Sequence, residues 1–504
     1  MENFETIIGL EIHLAVKTKS KFFCSCPNQQ VLSDKKPNFN ICPICLGHPG
    51  VLPVINKEIL VKALKLGLAL KGEISEISFF DRKNYFYPDL SKGYQISQYK
   101  YPLIKGGKVD TDEGVIELER IHLEEDTAKL FHNQKASWLD FNRAGIPLLE
   151  IVTKPVLTKP KQAKSFLEEL QKIVRELDIS EAEMENGQMR CDVNISLRPL
   201  NEKKYYPKTE IKNLNSFKSI EKALIYEETR QLNLWQKNNP PLFQETRGWN
   251  EKEGITVKQR EKEEEKDYRY FPEPDLPPLN KNFFIKQGID FKEFYEDVLE
   301  LPFYRRQRFK LEYGLNNEQA KLLADNNKIS SYTEKVFSEL RAWLLSLQTV
   351  EGSEQEIWEK NKSQFVKLVV KWLINYLLPL AKKEEKLEFK ITPENFSEFI
   401  ILFYEKKING QFAKMILEEM FETEKDVDQV LINKKSIFLE NKDEIYEIIQ
   451  RVIKDNPEAV KKYHQGKINV FKFLIGQVMK KTQGKISIKI IEEIFKKELN
   501  QLIF

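Results

Sequence analysis

Four of the chain's five cysteines lie between residues 24 and 45, as Cys24-Ser25-Cys26 and, after fifteen intervening residues, Cys42-Pro43-Ile44-Cys45. Two closely spaced thiol pairs suit a tetrahedral cage. Four thiolates about 2.3 Å from one ion fit zinc better than any other biological metal, and a closed site of that kind organises a loop without doing chemistry. Two disulfides are the competing use of the same thiols. They need an oxidising compartment, whereas Met1 to Thr6 has no basic stretch and no apolar run of signal-peptide length, and Cys191 would be left over. Structural zinc is therefore expected, ahead of reduced cysteines without metal, with disulfides last. His48 reads as a loop residue rather than as a substitute ligand.

At 504 residues the chain has room for roughly two to four domains. Hydrophobic residues at 41% allow sizeable cores, and charged residues at 31% point to a soluble, cytoplasmic protein. No window approaches about 18 uninterrupted apolar residues. The formal net charge of +3 is too small to name a polyanionic partner.

From Thr6 to about Leu279 short strand-like runs, turns, several helices and most of the proline punctuation give an α+β texture. Beyond it Phe291–Leu299, Asn317–Leu323, Gln364–Leu378 and Glu394–Tyr404 carry apolar residues at three- and four-residue spacing, so the second half is expected to be helical. A break at Lys406 to Gly410 precedes a further helical series in which Asn456-Pro457 marks a helix start. The expected parts are 1–294, 295–407 and 408–504. The run Glu261 to Asp267 reads as a solvated helix or loop. The segment after it, Asp267 to Pro278, sets aromatics among charges and prolines, and is expected to wrap a core or line a pocket.

In Ile8-Gly9-Leu10-Glu11-Ile12-His13-Leu14 the even positions are apolar. Period-two alternation buries them and sets Glu11 and His13 on the opposite face, roughly 7 Å apart, close enough to share one metal ion. Met189 to Leu197 repeats the pattern, with Cys191 on the apolar side as a core residue and Arg190, Asp192, Asn194 and Ser196 on the polar side. Lys208, Glu210 and Lys212 form a mixed-charge ladder suited to phosphate and metal. The three polar faces suggest one concave sheet. Glu150 sits in the apolar run Ile146 to Val152, where a carboxylate needs a cation or hydrogen bonds to offset its desolvation. Glu124, Glu125 and Asp126 follow the strand-like Val115 to Leu123 and would be relieved by a divalent cation, most naturally magnesium carrying ATP phosphates. No P-loop, Rossmann fingerprint or kinase glycine loop precedes these strands, and Gly106-Gly107 fits a hairpin turn. No serine–lysine or cysteine–histidine nucleophile can be argued.

Several long motifs then match a known family in order. Gly9 to His13, the four-cysteine loop running into Leu46-Gly47-His48-Pro49-Gly50, Asn84 to Ser97, His122 to Asp126, Asp140 to Glu150, Met189 to Asn194, Glu210 to Ser216 and Asp267 to Leu279 resemble GatB, the B subunits of the glutamine-dependent aspartyl/glutamyl-tRNA amidotransferases. The resemblance implies a cradle-shaped α+β domain distantly similar to glutamine synthetase, a helical domain, and a small helical tail of the YqeY type. It implies ATP-dependent phosphorylation of the side-chain carboxyl of mischarged Glu-tRNA(Gln) or Asp-tRNA(Asn), followed by attack of ammonia. The ammonia would come from an amidase A subunit in a heterotrimer closed by a small C subunit. Carried onto matching positions, Glu11, His13, Glu125, Glu150 and Asp192 look like the catalytic magnesium and ATP site, with Glu11, His13 and Glu125 on the metal. Glu124, Arg190, Glu210 and Lys212 lie beside it. The tail resembles the tRNA-reading part in Gly466-Lys467, Phe473 to Thr482 and Gly484-Lys485, which puts Lys480, Lys481 and Lys485 on RNA. Tyr206-Pro207, where the family usually has a glycine-threonine turn, and Ile486-Ser487-Ile488, where alanine-asparagine-proline is usual, depart from the pattern. The chain lacks room for the inserted domain of the related archaeal E subunit. A different class of protein, a non-catalytic zinc-containing RNA-binding chaperone, would treat the carboxylates as structural. A free-standing synthetase for a small amino acid would act without tRNA.

Overall fold

The structure, a computed structural model, describes residues 3–28, 36–133, 135–262, 268–290, 300–346, 353–382, 387–408, 410–434, 442–465, 469–482 and 488–501. The chain divides into two compact units, Met1–Tyr304 and Arg305–Phe504.

Alternating side chains make Phe4–Ala15 the central strand of a ten-stranded sheet in the first unit. It pairs antiparallel with Pro147–Thr153 on one side and Met189–Pro199 on the other. The sheet continues through Gly114–Glu125 in one direction, and through Thr209–Lys212, Gln244–Asn250 and Ile255–Lys262 in the other. Only the Thr209–Lys212 and Gln244–Asn250 pair runs parallel among these. At the bulge between Val152 and Thr153 the Thr153 hydroxyl accepts the Leu10 amide at 2.9 Å, which satisfies a buried donor. All three strand segments whose alternation is legible in the sequence thus lie side by side.

One face of the sheet is apolar. Ile8, Leu10, Ile12, Leu14, Leu149, Ile151, Cys191, Val193 and Ile195 share a core with helices Lys57–Ala69, Pro160–Glu176 and Phe217–Gln236. Local chemistry starts each helix. Asn56 and Ser216 accept the amides of Glu58 and Ser219, and Pro160 stands at the first helical position, where its missing amide costs nothing. Cys191 is a core residue, as its strand face required. Glu261 and Lys262 extend the last strand instead of forming a helix or loop, while 263–267 lie outside the described residues. Gly106-Gly107 also differs from the expected hairpin turn. Its flanking strands Ile104–Lys105 and Lys108–Thr111 both pair with Gly114–Glu125 rather than with each other, and the positive φ values of the two glycines, 63° and 110°, provide the kink between them.

The second unit is helical, as the three- and four-residue spacing predicts. Asn317–Ala324 and Pro393–Tyr404 cover expected segments, the expected Gln364–Leu378 runs from Glu354–Trp372 through the π-helical turn Leu373–Leu377 into Leu378–Ala381, and Pro457–His464 begins at the expected proline; Phe291–Leu299 and the joint at 294 lie outside the described residues. Two apolar clusters organise it. One runs from Phe309 to Val430, so the expected joint at 407 falls inside it, with Phe399 and Ile400 on one side and Ile408 and Phe412 on the other. The second gathers Ile445, Ile449, Leu474, Val478, Ile491 and Phe495 from its helices. The stretch Glu354–Ala381 is long and apolar enough to cross a membrane, but half of its most apolar window is buried inside the protein, as a core helix requires.

Gly67 tests the packing against the sheet. A Cβ there would meet Ile104 Cδ1 at 2.5 Å and Cγ1 at 2.8 Å. Gly67→Ala should therefore lower the melting temperature even though helix propensity alone favours alanine by about 1 kcal/mol. Adding Ile104→Ala should cost less than the sum of the single changes, as measured by thermal unfolding.

Candidate functional site

The opposite face of the sheet carries the charges. Antiparallel register sets His122, Glu150, His13 and Arg190 in one row across four strands, and Arg120, Val152, Glu11 and Asp192 in the next. At the centre the buried Glu150 carboxylate lies 3.2 Å from His122 Nε2 and 3.4 Å from His13 Nε2. Two triads can hold a cation, Glu11–His13–Glu150 and His122–Glu124–Glu150, each with ligand atoms within 4.8 Å of one another.

Charge and burial fix the protonation states. Burial opposes a charged His13, but its hydrogen bond to Glu150, with the charges of Glu150, Glu124 and Glu11, raises its pKa to about 9. Burial likewise opposes ionisation of Glu150. The two imidazoles overcome it and hold that carboxyl well below the usual range. Glu11 moves the other way, pushed up by burial and then by the charge of Glu150. The carboxylates and the charged imidazole thus balance one another across the row, as perturbed groups do at functional sites.

Glu124, Glu125 and Asp126 do not form a single acidic cluster. Glu124 faces His13 at 3.8 Å and accepts hydrogen bonds from Gln95 at 2.6 Å and Ser97 at 2.7 Å. Glu125, the next residue on the strand, turns away, pairing with Lys92 and accepting the Ile96 amide at 2.9 Å. Alternation thus turns Glu124, expected beside the metal, toward the imidazole row, and turns Glu125, expected on the metal, away from it. Asp126 pairs with Arg143 and, at 2.9 Å, with Arg190; the charges of these two guanidiniums outweigh burial and lower its pKa. Arg190, expected beside the nucleotide, is engaged there. Asp192 binds Lys212 at 2.6 Å, and Glu210 shares that ammonium at 3.1 Å while accepting from Thr246. Lys480 and Lys481 are carried by helix Asn469–Lys481, with Lys481 pairing with Asp455; Lys485 lies outside the described residues.

His122 and Lys83 are site residues that the sequence reading did not single out. Arg120, His122 and Glu124 alternate with Ile121 and Leu123, the same signal that exposed Glu11 and His13. Lys83 gave no such signal, since Asp81–Asn84 has no apolar face. Its ammonium is 3.9 Å from Glu124 and 5.2 Å from the Tyr268 ring centroid; burial opposes its charge, but Glu124 foremost raises its pKa. Of the two uses expected for Asp267 to Pro278, the described residues show the first, with Leu276 packed into the sheet core. Phe271–Pro272 pairs with Asp81–Asn84, the buried Glu273 accepts two hydrogen bonds from Arg82, and Tyr270 stacks on Tyr99 at 4.3 Å.

The four cysteines converge as their spacing required. Cys45 Sγ lies 3.6 Å from Cys24, 3.7 Å from Cys42 and 3.8 Å from Cys26. Bonds of about 2.3 Å to a tetrahedral ion put sulfurs about 3.8 Å apart, whereas a disulfide needs about 2.05 Å. All five cysteines are free. The thiols fit a metal.

Residues 6–284, which hold this polar sheet face, the helices behind it and the cysteine loop, match the family model described as the GatB/GatE catalytic domain. Residues 355–499 match the one described as the GatB domain. In Caldicellulosiruptor saccharolyticus the B subunit of the aspartyl/glutamyl-tRNA(Asn/Gln) amidotransferase is 39% identical over 510 residues, covering 99% of this chain and 100% of that protein. Its counterpart in Carboxydothermus hydrogenoformans is 39% identical over 517 residues and covers 100% of both chains, and that of Rippkaea orientalis is 38% identical over 515 residues, covering 98% of each. The chain belongs to the GatB family, the B subunits of the aspartyl/glutamyl-tRNA(Asn/Gln) amidotransferases.

The central row sets a spectroscopic expectation. His13 should titrate near pH 9 in the parent and remain charged at neutral pH. In Glu150→Gln it should fall toward or below the ordinary histidine value of about 6.5, as followed by histidine NMR.

Proposed function

We propose that this protein amidates mischarged Glu-tRNA(Gln), Asp-tRNA(Asn) or both, using ATP, with ammonia delivered by a glutamine-hydrolysing A subunit in a heterotrimer closed by a small C subunit. The observation that carries this reading is the convergence of Glu11, His13, Glu124 and Glu150 with the Lys83 ammonium on one face of the sheet. Glu11 and Glu150, with His13 once it gives up its proton, would hold magnesium, with His122 and Glu124 beside it. Bound there, the cation neutralises nucleotide phosphates. The tRNA-borne carboxylate attacks the ATP γ-phosphorus and ADP leaves; ammonia then attacks the acyl carbon and inorganic phosphate departs, so the amide forms with one ATP consumed. Lys83, and Lys212 on a strand further out, present ammonium groups to the anionic phosphates and acyl oxygen as charge develops. Tyr99, Tyr268 and Tyr270 offer flat aromatic surface beside them, suited to a base. The thiolate loop would carry structural zinc, and the cytoplasm is the compartment this chemistry requires.

Lys480 and Lys481 are proposed to meet tRNA phosphates from the tail. Lys480→Ala should weaken tRNA binding and make the slope of log affinity against log salt shallower by about 1, without changing nucleotide affinity, as measured by filter binding.

Equilibrium dialysis with labelled ATP and magnesium tests the site directly. Glu150→Ala and Glu124→Ala should each reduce binding at least about tenfold, and should lower amidation of mischarged tRNA by the heterotrimer about 10²-fold or more with ammonium salt as the nitrogen source. Absence of ATP binding to the parent chain would favour the RNA-binding chaperone instead, and amidation of a free amino acid without tRNA would favour the free-standing synthetase.

A further inference from the structure

Lys21 is a fully buried lysine, and its partners set it apart. Its ammonium donates to the Asn40 carbonyl at 3.0 Å, to Cys45 Sγ at 3.5 Å and to the Phe141 carbonyl at 3.5 Å. Among the described residues no carboxylate lies within ion-pair distance of it. A buried ammonium satisfied only by neutral carbonyls is poorly compensated, because carbonyl dipoles replace the hydrogen bonds of water without cancelling the charge. The ionisable side chain it touches is Cys45.

A divalent ion with four thiolates carries a net charge of two negative, which is itself costly to bury. Cys45 is the only buried sulfur of the four, the other three cysteines being half-buried. The Lys21 ammonium therefore stands at the ligand least able to draw compensation from water. We propose that Lys21 is the charge-balancing residue of the four-cysteine metal centre, a positioning residue that halves the net charge of the loaded cage from its contact with Cys45. The inference rests on the reading that these cysteines hold a metal.

The same three contacts give the lysine a mechanical consequence. Asn40 and Cys45 belong to the cysteine loop, whereas Phe141 begins the turn through Gly145 that leads into the strand bearing Glu150, and the Phe22 amide binds the Gly145 carbonyl at 2.8 Å. Loss of metal therefore leaves an uncompensated charge at the joint between loop and active-site strand.

The test uses the full chain. Zinc affinity is measured by competition with a chromophoric chelator, cobalt(II) spectra report thiolate ligation, and circular dichroism reports folding. Lys21→Met removes charge and donor together; Lys21→Gln removes the charge but keeps a donor for the carbonyls. Both should raise the zinc dissociation constant about 10- to 100-fold, the usual cost of losing a group that supports a ligand, and should weaken the cobalt–thiolate charge-transfer band at limiting metal. Folded variants whose zinc affinity stays within about twofold of the parent overturn the proposal, as does Lys21→Gln matching the parent while Lys21→Met does not, since that outcome makes Lys21 a neutral tether. Failure of both variants to fold also overturns it, because Lys21 is then required by the sheet core to which its neighbours Phe22 and Phe23 belong rather than by the metal cage. A parent chain that binds neither zinc nor cobalt refutes the metal reading itself, an outcome visible before any variant is made.

Discussion

A carboxylate shared by two imidazoles in the middle of a sheet is the constraint around which the first unit is arranged. Glu150 stands on an interior strand with His122 and His13 directly opposite on its two neighbours. Burial makes the ionised carboxyl expensive, and the histidines offset that expense only while the registers of all three strands hold. A slip of one residue on any of them would turn the polar row into the helix-covered face and bring Leu149, Ile151 or Leu123 to the solvent side. The apolar packing and the ion site therefore specify the same alignment from opposite faces. Because neither face tolerates the alternative, the alignment is unique.

Much of the site is legible in the sequence because strand alternation is a local property. Side-chain parity alone places Glu11, His13, Arg190 and Asp192 on their faces, and Glu150 is conspicuous as one charge in an apolar run. The cysteine cage is legible for a different reason: two short spacings bring thiols together whatever the fold around them. What the sequence does not disclose is which partner each charge chooses. Glu125 and Arg190 both belong to recognised motifs, yet one is taken by Lys92 and the other by Asp126, residues distant in the chain. Lys83 stays hidden because its strand, Asp81–Asn84, has polar residues on both faces, and its approach to Glu124 exists only once the strands are assembled.

The helical unit is legible in its elements rather than in its grouping. Three- and four-residue spacing identifies which face of a helix is apolar but not which other helix covers it. The sequence break near Lys406 reads as a boundary between parts, yet Ile408 and Phe412 join the same apolar cluster as Phe399 and Ile400. A turn rich in lysine and glycine ends a helix as readily inside a core-sharing group as between two of them.

The three acids at the end of Gly114–Glu125 place unlike neighbours on a common mount. Glu124 belongs to the imidazole row, Glu125 to the loop of Lys92, and Asp126 to the guanidiniums of Arg143 and Arg190. Consecutive residues share one peptide backbone, so none of these attachments can be displaced without tilting the other two. The end of that strand acts as a mechanical junction, tying the fit of a loop on one side to the spacing of ligands on the other.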